Sequence, residues 1–193
     1  MFNEDKYLTV KQGHAKLVSS TDGWQKPVLI LPCSKAKASI AMEAINLYQG
    51  RGYLGIIRTF DQTELLDAFD VYFLSAKYGL VGAKEIISPY EQVLTNERIN
   101  VLLNDNSIKS KFANFCVKTH SSIPVYLVAP KKYKKLFSDL VDNQLLTRQL
   151  ITSEGGIGYQ RSQLKRIIQE TMFQKLNFWH KKARLEDGLK CGV

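Results

Sequence analysis

Val71-Tyr-Phe-Leu-Ser-Ala-Lys-Tyr-Gly-Leu-Val-Gly82, followed by Ile87-Ser-Pro-Tyr-Glu-Gln-Val-Leu94, is the stretch that decides the fold. Val71 to Leu74 is an unbroken apolar run with β-propensity, short enough for a buried strand. It stops at Ser75-Ala-Lys-Tyr-Gly79, where small, cationic, aromatic and turn-permitting residues crowd together. Ligands of open parallel sheets bind beyond the carboxyl ends of strands, so this exit reads as one wall of a site. Taken alone it reads equally well as an ordinary strand-to-loop exit with Gly79 turning the chain.

Two further runs repeat the pattern. Pro27-Val-Leu-Ile-Leu31 leads into Pro32-Cys-Ser-Lys-Ala-Lys37, and Pro124-Val-Tyr-Leu-Val-Ala129 leads into Pro130-Lys-Lys-Tyr-Lys-Lys135. Leu145 to Ile151 is a candidate fourth strand; its exit, Gly155-Gly-Ile-Gly158, opens a long helix whose apolar positions Leu164, Ile167, Ile168, Met172 and Leu176 recur at the helical period. Between the strands, helices are expected over Ala38–Gln49, Glu64–Phe69 and Ser107–Lys118, with another from a Thr95 or Asn96 cap through Leu103. Tyr53–Arg58 reads as helix or loop. Strand and helix alternate, which predicts a mainly parallel sheet covered on both faces, with four strand exits along one edge.

A chain of 193 residues, 45% apolar, suits one domain. Residues 1–24 read as an N-terminal hairpin or extension (Tyr7-Leu-Thr-Val and Ala15-Lys-Leu-Val around Gln12-Gly13), 25–180 as the α/β core and 181–193 as a basic, fraying tail. No apolar run approaches the roughly 20 residues of a membrane span, and the first residues lack signal-peptide character, so a soluble cytoplasmic protein is expected. Cys33, Cys116 and Cys191 are odd in number and far apart, which argues against a disulfide framework or a cysteine zinc site. The formal net charge of +9 favours a polyanionic partner, DNA or RNA, with no membrane contact and no obligate protein partner called for.

The predicted edge collects Cys33, Ser34, Lys35, Lys37, Ser75, Lys77, Tyr78, Tyr90, Glu91, Lys131, Tyr133 and the glycines of 155–158. His14, His120 and His180 fall elsewhere, so neither a His-activated nucleophile nor a metal is expected, and no cofactor motif is present. The set suits cleavage of a nucleoside's glycosidic bond, whose oxocarbenium-like transition state calls for a carboxylate and for donors to the departing base. Glu91 supplies a carboxylate; Tyr48, Tyr78 and Tyr90 could contact an everted base together with Cys33, Ser34 and Ser75. Lys35, Lys37, Lys131, Lys132 and Lys134 could hold flanking phosphates, as could Gly156 and Gly158 at a helix N-terminus. The bland alternatives are a surface or capping acid for Glu91 and a solvated helix turn for the lysines.

The combination of Leu31-Pro-Cys-Ser-Lys-Ala-Lys37, Leu47-Tyr48 with Gly50, Leu74-Ser-Ala-Lys-Tyr-Gly-Leu-Val81 and Ser88-Pro-Tyr-Glu91 with Leu94 resembles the DUF6884 type of bacterial and phage domain, over roughly residues 27–165. That type is similar in turn to the uracil-DNA-glycosylase-like domain of archaeosine-synthesis enzymes. The resemblance implies a three-layer α/β/α fold around a central, mainly parallel four-stranded sheet, and a pocket for a base or nucleoside. It also implies kinship with bacterial defence glycosylases that remove hypermodified bases, such as glucosylated hydroxymethylcytosine, from phage DNA. The Gly-x-Asp-Pro-Tyr water-activating motif of ordinary uracil-DNA glycosylases is absent after the first strand, where Pro32-Cys-Ser-Lys35 stands. A catalytic acid must then come from elsewhere; Glu91 is the choice, with Lys77 as a Schiff-base nucleophile in a lyase variant.

Two rivals share the same edge: a non-catalytic module binding modified tRNA or DNA, and a hydrolase or transferase acting on free nucleosides or nucleotides. Charge separates the last from the others. A chain that spends its surplus lysines on a nucleic-acid backbone releases counterions, so oligonucleotide affinity should fall steeply, by tenfold or more, between ~50 and ~200 mM salt. A flat titration would instead favour the free-nucleotide enzyme.

Overall fold

The computed structural model describes residues 23–119, 122–141 and 150–190, with 186–190 described through the backbone alone. The N-terminal hairpin expected over Tyr7–Val18, His14, His120 and the first part of the fourth strand run lie outside the described residues.

Three apolar runs form strands β1 (Val28–Pro32), β3 (Asp70–Ser75) and β6 (Val125–Leu127), and β7 (Leu150–Thr152) follows later in the chain. They run parallel in the order β3-β1-β6-β7, with Leu29 opposite Val71 on one side of β1 and Tyr126 on the other. Among the described residues the sheet has five strands and not four. Gly79–Gly82, expected as loop, turns back as β4 and pairs antiparallel to β3, Ser75 opposite Gly79 and Phe73 opposite Val81. Gly79, at φ +70°, makes that reversal possible: an added Cβ would also stand 2.9 Å from the side chain of Ile108.

Alternation along the central strands splits the core in two. Leu29, Leu31, Val71, Phe73 and Val81 face one layer with Leu54, Leu65, Leu164 and Ile168. Val28, Ile30, Leu74, Leu80, Val125 and Leu127 face the other, with Leu102, Phe112, Phe115 and Phe137. Strands buried on both faces are apolar at every position, which is why they read as unbroken runs. The first layer holds α2 (Tyr53–Ile57), α3 (Gln62–Ala68) and α7 (Ile157–Lys190); the second holds α4 (Asn96–Asn104), α5 (Asn106–Lys118) and α6 (Lys131–Leu140).

Caps set several boundaries. The Thr95 side chain accepts from Arg98 N–H at the start of α4, and Asp105 accepts from Ser107 and Ile108 N–H at the start of α5. Two expected elements differ. Ala38–Gln49 is helical only as α1 (Ala44–Leu47), because its backbone bonds outward: Ala38 N–H to Leu47 O, Gln49 N–H to Ala36 O, and Ala44 and Ile45 N–H to Glu85 and Ala83. Ahead of α1, β2 (Met42–Glu43) pairs antiparallel with β5 (Ile86–Ile87). The expected fraying tail is instead the last stretch of α7, which continues unbroken through residue 181 to Lys190. No helix among the described residues is long and apolar enough to cross a membrane.

The β3–β4 reversal yields a stability prediction. Gly79→Ala forces a side chain into the left-handed region and against Ile108, and should cost about 1–3 kcal/mol. Urea unfolding should show a lower midpoint at unchanged slope; an unmoved midpoint would mean that the turn tolerates a side chain.

Candidate functional site

Parallel pairing brings the carboxyl ends of β1 and β3 side by side, and the chain beyond each supplies the polar groups. Ser75, the last residue of β3, is fully buried; its Oγ accepts the N–H groups of Lys77 (3.1 Å) and Tyr78 (3.0 Å) and lies 2.7 Å from the Tyr90 hydroxyl. A hydroxyl has one proton and two lone pairs. With both lone pairs taken, Ser75 donates to Tyr90, which leaves the Tyr90 proton for the Tyr48 oxygen 3.0 Å away.

The turn that carries Lys77 and Tyr78 is clamped from outside. Arg98 on α4 donates to Ala76 O (2.7 Å) and Lys77 O (3.0 Å), and Lys111 on α5 reaches Tyr78 O at 3.5 Å. On the other side, Lys37 and Tyr48 form a β-bridge, and Arg58 donates to Tyr48 O. Both loops are therefore fixed by backbone contacts.

Aromatic rings and cations close the arrangement. Tyr90 meets Tyr78 edge to face at 5.3 Å and Tyr48 at 6.4 Å. Lys37 Nζ lies 4.2 Å from the Tyr90 ring centroid; Lys77 Nζ lies 4.9 Å from that of Tyr78 and 5.9 Å from that of Tyr90. Cation–π contacts of this kind contribute about 0.5–1 kcal/mol each when exposed, so both amines can turn to an incoming anion at little loss. Cys33, just beyond β1, sits 3.2 Å from the hydroxyl of Tyr133 on α6.

Burial pushes the Tyr48 phenol up to about 12, against an opposing hydrogen bond from Tyr90. Desolvation, with the Cys33 thiol next in effect, also raises Tyr90 and Tyr133. All three are neutral at physiological pH. With the Tyr90 proton given to Tyr48 and that of Tyr78 to Ser88 O, the donors left to a ligand are the ammonium groups of Lys37 and Lys77, which suit carbonyl, ring-nitrogen or phosphate acceptors.

The expected site residues separate into groups. Cys33, Lys37, Tyr48, Ser75, Lys77, Tyr78 and Tyr90 come together. Within that set Tyr48 and Ser75 are fully buried and stand behind Tyr90, so in this state they orient Tyr90 while Cys33, Lys37, Lys77 and Tyr78 remain open to a ligand. Ser34 instead spends its hydroxyl on Ala36 O and packs against Gly50, where a Cβ would come within 2.8 Å of its own. Lys35 is exposed and receives Lys37 Nζ on its carbonyl.

Glu91 directly follows Tyr90, but its exposed carboxylate makes no hydrogen bond or ion pair among the described residues. Lys131 and Lys132 are exposed on the first turn of α6, whereas Lys134 donates to Ser153 O, at the end of β7. Gly156 and Gly158 are exposed at the start of α7. Tyr133, Arg98 and Lys111 complete the site from elements remote in sequence; the Lys-Lys-Tyr-Lys-Lys run signals Tyr133, whereas no local signal marks the other two. Among the described residues no three His, Cys, Asp or Glu side chains come together as a metal site would require.

Residues 28–166 match the model of a family of unknown function, DUF6884, and the chain belongs to that family. No curated protein matches the chain.

The buried phenols carry a pH signature. An unfolded tyrosine ionises near 10 whereas folded Tyr48 holds its proton to about 12, so stability should be level below pH ~10 and fall as pH rises towards 12, by up to about 3 kcal/mol from this residue. Tyr48→Phe should flatten that loss. The check is chemical denaturation across the alkaline range with phenolate absorbance followed in parallel; ionisation of every tyrosine near pH 10 in folded protein would contradict the buried network.

Proposed function

We propose that this member of the DUF6884 family is a DNA glycosylase with a uracil-DNA-glycosylase-like architecture. It hydrolyses the N-glycosidic bond of a modified base, such as glucosylated hydroxymethylcytosine in phage DNA, leaving an abasic site in antiphage defence within the cytoplasm. The supporting observation is the Ser75–Tyr90–Tyr48 hydroxyl chain with Lys37 and Lys77 over the aromatic rings, at the carboxyl edge of a parallel sheet. It offers an everted base an aromatic edge at Tyr78 and Tyr90, and donors for the charge that the base acquires as the bond to the sugar breaks. Exposed Lys35, Lys131 and Lys132 suit the flanking backbone.

In the hydrolysis, the bond from the anomeric carbon to the base nitrogen breaks, water adds to that carbon, and the base leaves protonated. Glu91 is the carboxylate assigned to the sugar cation and the water; it acts from the rim beside Tyr90 once DNA closes over it. Lys77 takes the place of water in a lyase variant, forming a Schiff base that borohydride would trap.

The exposed, unpartnered state of Glu91 favours a second reading, a non-catalytic module for modified tRNA or DNA that uses the same donors. One experiment separates the two. Purified protein is incubated, with EDTA present, with phage DNAs carrying plain, hydroxymethylated and glucosylated cytosine, and released bases are identified by mass spectrometry. The expected outcome is release of one modified base, reduced at least ~100-fold in Glu91→Gln. Absence of release from every DNA, with salt-sensitive binding intact, would establish the binding module instead.

A further inference from the structure

Among the described residues, the buried side-chain polar atoms without a hydrogen-bond partner are Ser153 Oγ and Arg161 Nε. They flank the same turn, between the end of β7 and the second turn of α7. Buried polar groups in folded proteins are almost always paired, so each of these orphans, eight residues apart in one connection, marks a partner that the chain does not supply. Their chemistry narrows the choice. Arginine can only donate and is always charged, and the serine hydroxyl can donate as well, so a partner common to both is an acceptor and the charge favours an anion.

The backbone at this turn points the same way. Gly155 adopts φ +75°, and Gln160 N–H bonds to Gly156 O, so the α7 ladder begins at Gly156, which has no side chain to cap it. The N–H groups of Ile157 and Gly158 then have no partner among the described residues. Helical side chains lean towards the N-terminus of their helix, which directs Arg161 towards the first turn of α7. Ser153 is 4% exposed, and its own N–H is held by Leu127 O at the sheet's carboxyl edge. Further bonds hold the turn: Lys134 Nζ to Ser153 O, Gln160 Nε2 to Gly155 O and Glu154 N–H to Gln163. Glu154 and Lys131 both act on the Lys134 amine, one carboxylate against two cations.

We propose that Ser153 Oγ, the Arg161 guanidinium and the N–H groups of Ile157 and Gly158 form a binding subsite for a phosphate group. A tetrahedral anion matches the planar guanidinium fork and the first-turn donors together. The subsite lies two strands from Cys33 in the β1-β6-β7 order, on the order of 10 Å, and is independent of whatever reaction the Tyr90 cluster performs. The phosphate has two sources, a nucleic-acid backbone or a free mononucleotide.

The test titrates folded full-length protein with inorganic phosphate, a deoxynucleoside 5′-monophosphate, the matching unphosphorylated nucleoside and a short single-stranded oligodeoxynucleotide. Affinity is read by calorimetry and the backbone amide shifts of Ile157 and Gly158 by NMR. The expected result is movement of those two amides by the phosphorylated probes and not by the nucleoside, with roughly tenfold or greater loss of affinity in Arg161→Gln and a smaller loss in Ser153→Ala. Loss confined to the oligonucleotide identifies a backbone phosphate, and loss shared by the mononucleotide a free one; either supports the subsite. Unmoved Ile157 and Gly158 amides in the wild type, which needs no variant to fold, would overturn it, as would unchanged affinities in folded Arg161→Gln.

Discussion

One hydroxyl organises the carboxyl edge of this sheet. Ser75 Oγ terminates β3, receives the next turn through two backbone N–H groups, and passes its own proton to Tyr90, which belongs to a segment beyond β5. All three of its hydrogen-bonding capacities are used in a place sealed from water. A buried network of this kind is favourable while complete and unfavourable when one member is lost, since the remaining partners then lie desolvated and unpaired. The position of Tyr90, and with it the placement of Lys37 and Lys77 over the rings, follows from that satisfied serine. What can meet a ligand is thus held by groups that cannot.

The electrostatics of this edge follow from a division of labour among its cations. Arg98 and Lys111 are spent on carbonyls of the turn, Lys134 on Ser153 O and Lys135 on Asp139. Lys35, Lys77, Lys131 and Lys132 remain exposed around the mouth. The surplus positive charge therefore includes a structural portion, which fixes loops, and a portion facing outward, which a polyanion can use. Because the phenols stay neutral, proximity to these amines never converts them into competing anions.

Much of the architecture was legible in the chain because it rests on strands covered on both faces. Val28–Leu31, Val71–Leu74 and Val125–Leu127 had to be apolar throughout, and an unbroken run with a polar exit is a local signal. The cap of α4 was legible for the same reason, since a capping side chain acts within three residues. Where the outcome was set by partners distant in sequence, local reading failed. Gly79–Gly82 resembled a loop because what makes it a strand is the facing edge of β3, and Ala38–Leu47 resembled a helix because its outward bonds to Ala83 and Glu85 leave no mark in its own spacing. The site divides in the same way: Ser75, Lys77, Tyr78 and Tyr90 stood in quotable motifs, whereas the meeting of Cys33 with Tyr133 across 100 residues, and the orphaned Arg161, are consequences of folding alone.

The length of α7 carries a consequence of another kind. At 34 residues it is a rod of about 50 Å, longer than the sheet it lies against, whose longest strand has six residues. Leu164 and Ile168 anchor its first half in the core, Lys175 pairs with Asp67, and Phe178 meets Trp24 edge to face at 5.9 Å. Past that contact, residues 179–185 are exposed at every position but one. Amide hydrogens on the two halves should therefore exchange with solvent by different routes: those near Leu164 only when the whole domain opens, and those beyond Phe178 by unwinding of the helix end, which leaves the sheet and its carboxyl edge intact.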